Sequence, residues 1–183
     1  MRPVLVAIGV LALLAPALLP QKSETDRAAV PATAGDSRVA KEVRHELVML
    51  PYYGVFDNLE FKVEGGVVTL SGEVREPVLR RDAENAVKRI EGVTKIDNQI
   101  KVLPNSPMDD QLRRAAYRAI YNDPSLSRYA FEAVPPIHII VENGHLTLVG
   151  VVATGADKTL AGIRAKTLPG VFSVDNQLQT EGK

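Results

Sequence analysis

The chain repeats itself, and the repeat limits its folds more than any local motif does. The stretch "GGVVTLSGEV" (Gly65–Val74) returns as "NGHLTLVGVV" (Asn143–Val152), 78 residues on. At the same spacing, "GVTKIDNQI" (Gly92–Ile100) returns as "GVFSVDNQL" (Gly170–Leu178). Upstream, "DSRVAKEVRHEL" (Asp36–Leu47) matches "DDQLRRAAYRAI" (Asp109–Ile120) at a spacing of 73. The second copy therefore carries five extra residues before its first strand, near Pro124 to Pro136. A unit of this length is too long for a solenoid repeat and suits a small domain. "LPNSP" (Leu103–Pro107) separates the copies.

Periodicity gives each unit the order helix, strand, strand, helix, strand. In the first, Asp36 is placed to cap a helix whose Val39, Val43 and Leu47 recur every four residues. Leu59, Phe61 and Val63 alternate with Glu60, Lys62 and Glu64, the pattern of a half-buried strand. Gly65-Gly66 forms a hairpin turn, and Val68, Leu70 and Val74 return on the inner face. Pro77 opens a second helix with Leu79, Ala83, Ala86, Val87 and Ile90 on its apolar side, and Gly92 ends it. Val93 to Val102 is the last strand. In the second unit Leu112, Ala116, Ala119 and Ile120 line the first helix, Asn143-Gly144 turns the hairpin, and Ile163 and Ala165 on a helix over 158–168 face the core. Two helices cover one face of a three-stranded sheet. The expected fold is α+β: two tandem αββαβ domains over 36–103 and 108–180, each a three-stranded mixed sheet with two helices on one face.

The N-terminus reads as an address. Arg2 precedes an apolar run from Val4 to Leu14, and Ala15-Pro16-Ala17 offers small residues for cleavage. Residues 1–20 are a signal peptide or an N-terminal anchor, and 21–35 are a polar, Ala-rich linker. Lys+Arg and Asp+Glu both number 22, so the formal net charge is zero, and Trp is absent. This balance excludes a general nucleic-acid binder, which needs a basic surplus. The absence of cysteine excludes disulfides, thiolate metal sites, a cysteine nucleophile and an acylated N-terminal cysteine.

A helix, then "VEGGVVTLSGEV", then a helix ending in "IEGVTKIDNQIKV", resembles the BON domain of bacterial envelope proteins. "VENGHLTLVGVV" and "LPGVFSVDNQLQT" resemble it again. The resemblance covers nearly everything after Gly35. It implies an exported, non-enzymatic module that attaches to phospholipid or another envelope surface and supports envelope integrity under osmotic or envelope stress. Several paired-domain relatives are outer-membrane lipoproteins. Without a cysteine to acylate, this chain is expected in the periplasm, soluble or held by its N-terminal segment. Val149, Ala153 and Leu160 stand where the first copy has Ser71, Arg75 and Asp82, so the copies are not expected to serve the same surface.

No chemistry-bearing constellation emerges. Across a two-residue turn, Glu142 faces His145 and His138 faces Val149. The two histidines then sit about 13 Å apart, too far to share a metal ion. His45 stands alone on a helix. Ser71 has Val149 as its counterpart and lacks the strand-to-helix turn of a nucleophile elbow. Strand parity turns Asn98 and Asn176 inward, and turns Asp97, Gln99, Asp175 and Gln177 outward. An inward amide needs its hydrogen bonds met by nearby backbone, which makes the repeated Asp-Asn-Gln architectural. No catalytic residue, cofactor or metal site is expected.

Two asymmetries between the copies point to surfaces. On the outer sheet face, Ile140, Val149 and Val151 replace Lys62, Ser71 and Glu73. So apolar a face needs a cover: the first domain, a second chain or lipid. On the first helix of the second unit, Arg113, Arg114, Tyr117, Arg118 and Tyr121 are left for the outside, and Arg128, Tyr129 and Phe131 follow in the inserted segment. Arg with Tyr suits an anionic membrane interface, where charge meets phosphate and rings settle at headgroup level. The expected partners are an anionic phospholipid surface or an envelope protein, with packing between domains or between copies.

Overall fold

The structure, a computed structural model, describes residues 34–132 and 134–182. The expected leader and residues 21–33 of the linker lie outside the described residues. Two apolar periods build the first domain. Val39, Val43 and Leu47 bury along helix α1 (Ala34–Val48). Strand β1 (Asn58–Glu64) half-buries Leu59, Phe61 and Val63 and exposes the charges between them. The hairpin leads into β2 (Val67–Val74), whose Val68, Leu70 and Val74 are fully buried. Helix α2 (Pro77–Val87) opens on proline and buries Leu79, Ala83, Ala86 and Val87. β2 lies at the centre, antiparallel to β1 and parallel to β3 (Lys95–Asn98) and β4 (Lys101–Val102).

The second domain repeats this plan with α3 (Pro107–Tyr121), β5 (Ile137–Glu142), β6 (His145–Val152), α4 (Gly155–Lys166), β7 (Ser173–Asn176) and β8 (Gln179–Thr180). Its extra residues fold as a short 3-10 helix, Ser127–Phe131. Among the described residues the fold is therefore α+β, with two mixed sheets and four α-helices. Each domain has its own apolar core.

The last strand of each domain is split in two, where the sequence predicts one. Its halves keep one register on the central strand, Thr69 facing Asp97 and Glu73 facing Lys101. The break falls at Gln99–Ile100, because the Ile100 N–H donates to the Asn98 side-chain oxygen at 3.2 Å. Leu178 does the same to Asn176 at 3.3 Å. On the central strands, Gly72 and Gly150 have φ of +101° and +125°. A Cβ would stand 2.2 Å from the Asn58 carbonyl oxygen at Gly72, and 1.9 Å from that of Pro136 at Gly150. Glycine is required there because the neighbouring backbone occupies the side-chain position.

Two local expectations are corrected. Asp36 does not cap α1, which begins two residues earlier. Its carboxylate instead accepts the Gly65 and Gly66 N–H groups at 3.3 Å, across the domain. Asp109 repeats the device, accepting Asn143 and Gly144 N–H at 2.9 Å. Turn amides pointing one way make a concavity for an anion, and the helix delivers a carboxylate to it. Ile163 is 52% exposed, while Ala161 and Ala165 are buried. At about 100° per residue, position 163 lies across the helix from both.

The segment between α1 and β1 crosses to the second domain. The Val55 carbonyl accepts the Ile139 N–H at 2.8 Å, covering the open edge of β5. Val55 and Phe56 pack against the second domain's core. The Tyr53 ring stacks on His138, with centroids 5.7 Å apart. Lys101 pairs with Glu142 at 2.6 Å.

Candidate functional site

Helix α3 carries most of the residues expected at a membrane surface, and packing sorts them. Its buried positions are Asp109, Leu112, Arg113, Ala116, Ile120 and Tyr121. The inward stripe includes polar side chains that an apolar count passes over. Arg113 is 2% exposed. It donates to Asp110 at 2.7 Å and to the Val141 carbonyl at 2.5 Å. Tyr121 is also buried and donates to the Ile137 carbonyl at 2.6 Å, and burial pushes its phenol well above the ordinary range. Arg113 and Tyr121 are therefore parts of the core, not of an outer surface: each satisfies a strand carbonyl that would otherwise be stranded.

The inserted segment is sorted the same way. Tyr129 is buried, donates to Asp157 at 3.0 Å and accepts the Ala153 N–H at 2.8 Å. Arg128 is exposed, but its charge is spent on Asp157 at 2.6 Å and its guanidinium lies over the Tyr129 ring. Burial pushes the Asp157 carboxyl up. Hydrogen bonds from Thr154 and Tyr129, with the Arg128 charge, outweigh this and hold it below the ordinary value. Asp157 also completes a capping box with Thr154 at the start of α4. This cluster fastens the inserted segment to the domain.

What remains outward on α3 is compact. Arg114 and Arg118 are exposed, one turn apart, and neither pairs with an acid among the described residues. Tyr117 lies half-buried between them, and its ring meets Tyr121 at 4.8 Å and the edge of Phe56 at 6.3 Å. Val55, Phe56, Arg114, Tyr117 and Arg118 line an open groove of about 270 Å³. Two of its five walls, Val55 and Phe56, come from the first domain. The sequence reading missed them, although "YYGVF" places three of the chain's nine aromatic residues within Tyr52–Phe56.

The outer sheet face of the second domain turns toward the first. Ile140 is buried and Val149 half-buried, whereas Val151 is 45% exposed. Ile140, Val149, Thr147 and Gln177 share a cleft of about 360 Å³ with Asn58, Glu60, Ser71 and Glu73. Val151 lies in a wider cleft of about 750 Å³ with Lys41, Arg44 and Phe61.

The repeated asparagines meet backbone at a helix. Asn98 donates to the Arg80 carbonyl at 3.0 Å and to Glu84 at 2.9 Å, and Asn176 donates to the Lys158 carbonyl at 2.7 Å. Asp97 and Asp175 accept from the nearby Gln99 and Gln177 amides. His138 faces Val149, and Glu142 faces His145. Among the described residues, no group of three or more His, Asp or Glu is arranged to hold a metal ion. Among the same residues, no helix is long and apolar enough to cross a membrane.

A helix, a hairpin, a second helix and a split parallel strand, built twice and interlocked, define a tandem αββαβ protein. The chain belongs to the BON domain family, whose model matches residues 35–104 and 109–182. It is 30% identical over 148 residues to osmotically-inducible protein Y of Escherichia coli (strain K12), covering 80% of this chain and 73% of that protein. Among solved structures it aligns with CdsD, a structural protein of the Type III secretion system of Chlamydia trachomatis. That match has TM-score 0.31 and 11% identity, over 78% of this chain and 92% of the other. The C-terminal domain of CdsD aligns with TM-score 0.27 and 12% identity, over 76% and 96%.

Proposed function

We propose that this BON protein is an exported, non-enzymatic component of the cell envelope that docks on anionic phospholipid through the outer side of α3. The observation that carries the reading is the pair Arg114 and Arg118. These are two guanidinium groups that pair with no acid among the described residues, and both line an aromatic groove. Such a pair favours phosphate, and an exposed cation near an anionic bilayer gains about 1 kcal/mol. The relation to an osmotically-inducible protein supports a role in envelope integrity under osmotic stress. The leader-like sequence of residues 1–20 supports a periplasmic location. Arg113, Tyr121 and Tyr129 are assigned to the fold, and Arg128 to its fastening. We assign Ile140 and Val149 to packing between the two domains, a reading supported by the burial of Ile140, while Val151 stays exposed.

Co-sedimentation with vesicles tests the docking. Wild type should sediment with phosphatidylglycerol-containing vesicles and not with phosphatidylcholine alone, and added salt should weaken it. The double variant Arg114→Glu/Arg118→Glu should bind at least about ten-fold more weakly while keeping its circular dichroism. Equal binding by that variant would overturn the assignment. Arg113 has no place in the test, because changing it disturbs the core.

A further inference from the structure

The loop that supplies Val55 and Phe56 has a tip that its own fold does not explain. Tyr53 N–H donates to the Leu50 carbonyl at 3.3 Å, closing a turn with Pro51 and Tyr52 at its corners. Tyr52 has φ +70°. Pro followed by a residue of positive φ is the pattern of a type II turn, whose second corner normally takes glycine or asparagine. Tyrosine there is strained, and residues held in that backbone region persist where something else depends on them. Nothing internal does. The Tyr52 side chain is 77% exposed and makes no hydrogen bond or ring contact with any described residue. Met49, three residues earlier in the chain, is 68% exposed and Val48 47%. The tip is also held firmly, since Leu50 and Tyr53 on either side pack against the first domain's core. An apolar, aromatic projection on a fixed base therefore stands three residues from the wall of the Arg114–Arg118 groove.

We propose that Tyr52 and Met49 form an interfacial wedge that enters the headgroup region of an anionic bilayer when Arg114 and Arg118 engage its phosphates. The inference rests on the phospholipid reading above and adds that the first domain supplies the apolar half of the contact. Charge complementarity selects the occupant. A projection of Tyr and Met on the loop that also walls the groove of Arg114 and Arg118, which pair with no acid among the described residues, suits a surface that is anionic at its face and apolar just beneath. The strain at Tyr52 is then the cost of placing an aromatic ring at the apex instead of glycine.

The chain has no tryptophan, so Tyr52→Trp makes a sole indole reporter. With phosphatidylglycerol-containing vesicles its emission should shift to the blue and be quenched by brominated acyl chains; with phosphatidylcholine it should stay unchanged. Sedimentation of this variant without shift or quenching would overturn the wedge and leave the phospholipid reading standing. Absence of sedimentation for wild type would overturn both. Tyr52→Gly separates binding from folding. It relieves the turn, so its thermal midpoint should equal or exceed that of wild type, while vesicle affinity falls at least about five-fold from lost apolar burial. Unchanged affinity in Tyr52→Gly would also overturn the wedge.

Discussion

Asn98 and Asn176 do the same work with different support. The first is held by the Arg80 carbonyl and by Glu84. The second has glycine at the position matching Glu84, and a Cβ on Gly162 would come within 2.7 Å of the Asn176 amide nitrogen. Glycine lets the strand sit closer, and the bond to the Lys158 carbonyl shortens to 2.7 Å. Asn176→Ala should therefore cost about 1–2 kcal/mol in urea unfolding, and Asn98→Ala, at a more open site, less. Arg113 and Arg114 are neighbours with opposite roles. Arg113→Ala leaves the Val141 carbonyl without its donor and should cost about 2–3 kcal/mol in the same measurement. Arg114→Ala should change stability by no more than about 0.5 kcal/mol. Residue type alone does not separate the two, because arginine at an apolar-periodic position and arginine one step round the helix look alike in a string.

At the scale of elements, the helices and hairpins were legible because their apolar residues recur at the helical and strand periods. Helix α3 shows where that legibility ends. An apolar count aligns its inner stripe on Leu112, Ala116 and Ala119, yet the packed stripe turns toward Arg113 and Tyr121. Both reach backbone carbonyls of β5, and such partners are visible only once a strand lies beneath the helix. The loop over 49–57 was hidden for the same reason, since its partner β5 lies some 80 residues on. That contact also carries a pH dependence. His138 packs on Tyr53 with its Nδ1 buried and without a partner. Burial holds its pKa below the ordinary 6.5, opposed in part by the Asp57 and Gly54 backbone. The unfolded chain therefore takes up the proton first, and stability is lost as pH falls below that value toward the depressed folded one. Urea unfolding should therefore show stability falling as pH drops below about 6.5, and the fall should shrink in His138→Gln. The neighbouring Asp57 acts oppositely in a lower window. Burial raises its carboxyl above 3.8, against hydrogen bonds from the Arg75 and Gly54 backbone, so the cost of its charge is relieved as pH falls through the raised value.

At the scale of the molecule, the two domains are tied by a strand-edge hydrogen bond, a ring stack and an ion pair. Calorimetry should record a single unfolding transition for wild type. Tyr53→Ala should broaden or divide it, because it removes the stack that anchors the crossing loop. The sequence by itself determined the duplicated αββαβ plan, the hairpin turns, the two cores and the architectural part played by the repeated Asp-Asn-Gln. Each of these rests on local period, or on a residue whose backbone needs are met within its own unit. Only the tertiary structure decided which arginines and tyrosines face outward, and that the groove on α3 borrows two walls from the first domain. Exposure is a property of what packs on a side chain, and here the packing partners lie far away along the chain.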